Sequence, residues 1–165
     1  MGVTLYYSGT IRNIRDPKLE KLALKWAKRW GSEVTTVRDG EFPWIYVRDG
    51  KTFESNGPVN GFIMHPHPDS ESVAVLVLED GYFWRFCKTQ FAGPDIHVQV
   101  VEFLRELAPF VENFEVKDEA EYWETGDRQE LDRRMGFLGN VINTMAEKLK
   151  DSIKPPDRTP TSGSN

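Results

Sequence analysis

Between Trp84 and Asp127 the sequence WRFCKTQFAGPDIHVQVVEFLRELAPFVENFEVKDEAEYWETGD changes its hydrophobic period twice. A sheet with a helix laid against it is the arrangement that accommodates both periods. The segment opens as a strand and turns a tight corner at Gly93-Pro94. His97, Val100, Val101, Leu104, Leu107 and Ala108 then fall on one helical stripe until Pro109 stops it. Phe114 and Val116 make a short strand, and a loop dense in carboxylates and aromatics follows. Just upstream, the unbroken apolar run SVAVLVL predicts a strand buried on both faces, and EDG turns it into YFWRFCKTQF. That hairpin is expected at the centre of the sheet.

The rest of the chain fits around this segment. Val3, Leu5, Tyr7, Gly9 and Ile11 alternate with polar neighbours and predict a first strand over 3–11. Asp16 is a helix cap and Pro17 a first helical residue, with Leu19, Leu22, Ala23, Trp26, Ala27 and Trp30 at helical spacing until Gly31. Residues 33–38 read as a second strand reached by a right-handed crossover, parallel to the first if the two lie side by side. WIYVRDGKTF is a hairpin with Asp49-Gly50 at its turn. GFIMH begins a further strand. Asp127 followed by Glu130 is a capping-box pattern, opening a helix with Leu131, Met135, Leu138, Ile142, Met145 and Leu149 in register. The expected fold is a single α+β domain over residues 1–152, with a disordered tail over 153–165. It has a mixed β-sheet of about six or seven strands, and three helices packed chiefly on one face.

Charge and composition narrow the function classes. No stretch of eighteen apolar residues and no basic leader with an apolar run occurs, which predicts no membrane span and a cytoplasmic protein. A single cysteine, Cys87, suits a reducing compartment, and its strand position beside Phe83 and Phe91 reads as an inert buried thiol. The net charge of −5 divides into +5 over residues 1–38 and −10 over the remainder. Nine of the acids lie between Glu112 and Asp132, against Lys117 and Arg128 alone. Such a surface suits a basic protein patch or a cation. The lysine face of the first helix is read as a solvated face, so nucleic acid is not the expected partner.

Three clusters hold groups that chemistry could use. His65 and His67, two apart in HPHPDSE, would point the same way on an extended backbone and form half of a divalent-metal site, with Asp118, Glu119 or Glu124 completing it. Without that site no cofactor is expected. His97, in the first turn of its helix, reads either as a core histidine bonded to a backbone carbonyl or as one facing a cleft with Lys88 and Gln90 beside it. Asp118, Glu119, Tyr122, Trp123 and Glu124 combine carboxylates with an aromatic platform, the materials of glycosidic chemistry. The same acids also complement the dipole of the next helix, and Tyr122 and Trp123 can lid the core.

KTQFAGPDIH, FEVKDEAEYWETGD with a following RQEL helix, PHPDSE and the RDPKL helix start together resemble a group of uncharacterised bacterial proteins over residues 5–149. That resemblance implies no activity. DEAEYWE departs from the DEGGYWE-like form of the group at Ala120 and Glu121, which bears on any role of glycine in letting a ligand approach the backbone. The sequence reading is a non-catalytic binding module. Its surface comprises Trp84, Lys88, Gln90, His97, Asp118, Glu119, Tyr122, Trp123 and Glu124, presented to a protein partner or small ligand. The alternative is a hydrolase using His65, His67 and a carboxylate from 118–124, with or without a metal.

Overall fold

The computed structural model describes residues 3–153, apart from the side chains of 137–144 and 150–153. β1 (Thr4–Thr10) encloses Leu5 and Tyr7 and turns Tyr6, Ser8 and Thr10 the other way, as its alternation demands. It is the centre of a three-stranded sheet, flanked by β7 (Tyr82–Lys88) and β8 (Glu112–Asp118), both antiparallel to it. β7 and β8 therefore run parallel to each other, joined by α2 (Pro94–Leu107), with β1 inserted between them. The strand, helix, strand order legible between 84 and 117 is thus a split unit.

α1 (Pro17–Arg29) begins as its sequence dictates, with the Asp16 carboxylate accepting from the Lys18 N–H at 2.9 Å. It ends where Gly31 takes a φ of 63°, a left-handed turn that glycine adopts without strain. Leu19, Ala23, Trp26 and Ala27 face the core. Glu106 of α2 accepts from Trp26 Nε1 at 2.7 Å and from Lys25 Nζ at 2.6 Å, so part of the lysine face is tied to the second helix.

β2 (Thr35–Gly40) does not lie beside β1. It pairs antiparallel with β5 (Val59–Met64), which pairs with β6 (Val73–Val77), while β3 (Trp44–Arg48) and β4 (Lys51–Ser55) form a hairpin of their own. Every ladder among the described residues is antiparallel, and the eight strands form three small sheets rather than one mixed sheet. The expected parallel pairing of the first two strands is corrected accordingly. β2 is largely exposed along its length and carries Arg38 and Asp39, which suits an edge and not a position against β1.

β6 is buried throughout, as its continuous apolar run predicted. Val73, Val75 and Val77 face the helices with Leu5, Tyr7, Phe83, Val100 and Leu104, whereas Ala74 and Leu76 face the β3–β4 hairpin with Trp44 and Val59. The β6–β7 turn forms, but the two strands belong to different sheets, so this hairpin is the seam of the molecule and not the middle of one sheet.

After β8 comes the single-turn α3 (Tyr122–Thr125) and then α4 (Arg128–Ile153). Asp127 Oδ1 accepts from the Glu130 N–H at 3.1 Å, the first half of a capping box; the Glu130 carboxylate binds Arg133 and Arg134 instead of reaching back. Leu131 and Met135 pack on Val3 and Ala120. Leu138 and Ile142 of the expected stripe lie outside the described side chains, and the tail from 154 lies outside the described residues. Among the described residues no helix is long and apolar enough to cross a membrane.

Candidate functional site

His97 sits in the first turn of α2, enclosed, and its ring joins two other elements. Nδ1 lies 2.6 Å from Thr89 Oγ1 at the end of β7, and Nε2 lies 2.9 Å from Asp118 Oδ2 at the end of β8. Asp118 also accepts from the Ala120 N–H through Oδ1 at 2.8 Å and from the Trp123 N–H through Oδ2 at 3.0 Å. Burial pushes the Asp118 carboxyl up, but the hydrogen bond and electrostatic pull of His97, with those two backbone donors, outweigh it and hold the group below the ordinary carboxylate range. The carboxylate is therefore ionised at neutral pH, so Nε2 donates to it.

Hydroxyl, imidazole and carboxylate in a row resemble a hydrolytic triad in composition only. Both His97 and Asp118 side chains have no solvent exposure, and Thr89 has none, so no substrate reaches the hydroxyl. The carboxylate's remaining bonds go to the backbone of residues 120 and 123. The cluster clamps the turn after β8 onto the start of α2. His97 and Asp118 accordingly leave the expected contact surface, and the imidazole's partners are side chains where a backbone carbonyl was expected.

The clamp sets the loop that follows. Glu121 takes φ 60°, which a glycine adopts freely, and Ala120 is buried against Leu131 and Met135. Tyr122 closes over His97 edge-on, at 6.4 Å between ring centroids. Trp123 is half-buried, edge-on to Phe114 at 6.0 Å, with the Arg105 guanidinium 4.6 Å above its ring and Arg105 Nη2 donating to its carbonyl. Glu124 is exposed, and its Oε1 accepts weakly from the Asp118 N–H at 3.4 Å.

The remaining sequence candidates are placed elsewhere. Gln90 Oε1 accepts from the Val3 N–H at 2.9 Å and ties down the start of β1. Lys88 is exposed at the end of β7. The segment after His65 turns where extension was expected: the Ser70 N–H donates to the His67 carbonyl, His65 Nε2 lies 2.8 Å from the Ser70 carbonyl, and His67 Nδ1 accepts from the Asp69 N–H. Each imidazole is engaged within its own turn, and among the described residues no group of three or more His, Cys, Asp or Glu side chains could hold a metal ion. Cys87 is buried, and desolvation, with the Glu71 charge adding to it, pushes its thiol up to about 12, which leaves it protonated. Phe91 lies beyond the strand and is exposed, off the face that Cys87 shares with Phe83.

What the structure does bring together is the open face of the β7-β1-β8 sheet, the side away from α1 and α2. A concavity of about 750 Å³ there is lined by Trp84, Glu119 and Trp123 from the expected set, with Tyr6, Ser8, Val47, Glu115 and Lys117 added. A second hollow of about 530 Å³ continues from it past Arg48, Asp49 and Tyr82, the two sharing Ser8, Val47, Trp84 and Glu115. Tyr6, Trp84 and Phe86 form one aromatic group on this face, with centroid separations of 5.7 to 6.3 Å. Glu115, Glu119 and Lys117 carry no ion pair among the described residues. The sequence did signal this face. YFWRFC places aromatics at both strand parities, so burying Phe83 necessarily turns Tyr82, Trp84 and Phe86 outward. In comparisons with known proteins, no family model, no curated protein and no solved structure matches the chain.

Proposed function

We propose that the protein is a non-catalytic, cytosolic binding module that takes a small ligand or a segment of a partner protein on the open face of β1, β7 and β8. The observation that carries this reading is the meeting of Tyr6, Trp84 and Trp123 with the unpaired carboxylates of Glu115 and Glu119 around one 750 Å³ concavity. Rings supply contact area at small entropic cost, and a carboxylate beside an aromatic face selects a cationic group by charge and by cation–π attraction. The ligand that fits is therefore flat or extended, partly apolar, and bears an amine or guanidinium. A titration of the full chain with an arginine- and lysine-containing peptide, followed by tryptophan fluorescence, tests it. Binding by the basic peptide and not by its citrulline- and acetyl-lysine analogue, lost at least about tenfold in Trp84→Ala, is the expected result, because a central aromatic contact is worth more than ~1.4 kcal/mol. Equal binding of both peptides, or no effect of Trp84→Ala, overturns it.

A further inference from the structure

The two hollows of the open sheet face form one trough along β1, and the strand register places its parts. Trp84, Ser8 and Glu115 stand in one row across β7, β1 and β8, and all three line both hollows. On one side of this row Tyr6 and Lys117 are register partners, and Glu119 and Trp123 lie beyond them in the hollow of about 750 Å³. On the other side Thr10 and Tyr82 are register partners, and the hairpin turn at Asp49 joins them in the hollow of about 530 Å³. The rows of Tyr6 and Thr10 are separated by ~13 Å along β1, at the usual rise of a strand.

Charge is spread along this trough and left unbalanced. Asp49, Glu115 and Glu119 carry no ion pair among the described residues, whereas Arg48 is neutralised by Asp80 at 2.6 Å. Of the other residues that line the trough, Lys117 alone opposes the three carboxylates, so the lining keeps a negative excess. Asp49 is held in place: it and Gly50 take φ 53° and 75°, both left-handed, in the tight turn between Arg48 and Lys51. Burial raises the Tyr82 phenol, and the charges of Asp49 and Glu115 both raise it further, so the two carboxylates act together at the second hollow. The floor is the central strand, whose backbone is engaged by β7 on one side and β8 on the other. A peptide laid along it meets side chains only, and its amides lose water without gaining a partner. A chain of methylenes and amines has no amides to satisfy.

We propose that the trough is a receptor for a linear polyamine, with one terminal ammonium beside Glu119, the other beside Asp49, and the chain between them crossing Ser8 between Trp84 and Glu115. The assignment rests on the cation-selective reading of this face and narrows it to an unbranched chain charged at both ends. Each ammonium gains a charge-assisted hydrogen bond, and the methylenes gain the apolar surface of Tyr6 and Trp84, whose rings are 6.3 Å apart. Spermidine, extended, reaches into both hollows; putrescine reaches into one.

Calorimetric titration of the full chain with spermidine, putrescine and hexaamminecobalt at one ionic strength tests the assignment, the last being a compact ion of the same triple charge as spermidine. The expected result is saturable binding of spermidine, at least about tenfold tighter than that of either other ion. Asp49→Asn, which keeps a residue suited to the turn, and Glu119→Gln should each weaken spermidine by about threefold or more, as the loss of one exposed charge pair does. Glu124→Gln, which removes an exposed acid outside the trough, should leave the affinity unchanged. No binding of spermidine, equal affinity for hexaamminecobalt, an equal loss in Glu124→Gln, or no loss in either end variant overturns the polyamine assignment. If the basic peptide then still binds in a Trp84-dependent manner, the cation reading of the face stands without it; if peptide and spermidine both fail to bind, the two fall together.

Discussion

Asp118 shows how much a single carboxylate can organise: one group of two oxygens holds the imidazole of α2, the N–H of Ala120 and the N–H of Trp123. Removing it with Asp118→Ala leaves His97 Nε2, the buried Ala120 N–H and the part-buried Trp123 N–H without their carboxylate partner, and a loss of ~3 to 5 kcal/mol in chemical denaturation is expected. Its pH dependence has a definite sign. The folded pKa lies below the ordinary value, so between the two the unfolded state binds more protons, and the stabilisation is complete above the unfolded value and lost as pH falls through the folded one. The gap in stability between the wild type and Asp118→Asn should therefore be constant above about pH 4 and close in more acid solution; a gap unchanged down to pH 2 would show that the carboxylate charge contributes nothing. Tyr7 is a second case. Burial drives its phenol upward, well beyond the usual tyrosine range, so it stays protonated and serves both peptide groups of Ala74. Tyr7→Phe should cost ~1 to 3 kcal/mol by unfolding measurements, because it orphans two buried backbone groups while keeping the ring. The strand alternation put Tyr7 on the buried face, whereas Asp118 was expected on a contact surface and is instead buried at the end of β8; its imidazole partner and the Ala74 partner of Tyr7 lie 21 and 67 residues away, and no local pattern encodes such pairings.

At the scale of elements, the period of two in β1, β7 and β8 shows which side is buried and leaves open which strand lies beside it. The α1 cap at Asp16, the α2 stripe and the double burial of β6 were all legible, because each depends on residues close together in the chain. The β2–β5 pairing was not, because Thr35–Gly40 carries no alternation strong enough to name a neighbour. One local cue for the neighbouring β5–β6 ladder is a glycine in mid-strand. Gly61 holds a φ of 152°, and a Cβ there would meet the Val75 carbonyl oxygen at 1.8 Å. Backbone cannot yield as a side-chain tip can, so Gly61→Ala must push β5 from β6. We expect ~2 to 4 kcal/mol of destabilisation, at the upper end of single substitutions, with hydrogen exchange of the amides of Val75 and Val77 accelerated beyond that of α2. Wild-type exchange at those amides would mean that the two strands accommodate the methyl by a local shift.

At the scale of the molecule, the α+β class was legible from the composition of elements. The division into three small sheets was not, because the seam that parts β7-β1-β8 from β2-β5-β6 is filled by Tyr7, which reaches the Ala74 backbone from 67 residues away. That division leaves one sheet face bare, and the two tryptophans that the sequence had placed in a single surface line one concavity there in different ways. Trp123 packs its ring edge on Phe114 beneath Arg105, on the rim of the concavity, whereas Trp84 stands among Tyr6 and Phe86 on the face itself. Their truncations should differ in kind. Trp123→Ala removes the ring that caps Phe114 and receives the guanidinium, and because it is half-buried the cost should be ~2 to 3 kcal/mol, below that of a fully enclosed tryptophan. Glu124→Ala gives up one long hydrogen bond at 3.4 Å and should stay within ~0.5 kcal/mol. Trp84→Ala should cost ~1 to 2 kcal/mol of stability while removing most of the affinity for a basic peptide, since its ring lies where a ligand would rest. Denaturation curves and peptide titrations on the three variants separate the roles. Large stability loss with preserved binding assigns Trp123 to the structure of the rim, and the reverse pattern at Trp84 assigns that ring to the ligand. If Trp84→Ala instead loses as much stability as Trp123→Ala and binds the peptide unchanged, the open face is packing surface and the binding reading fails with it.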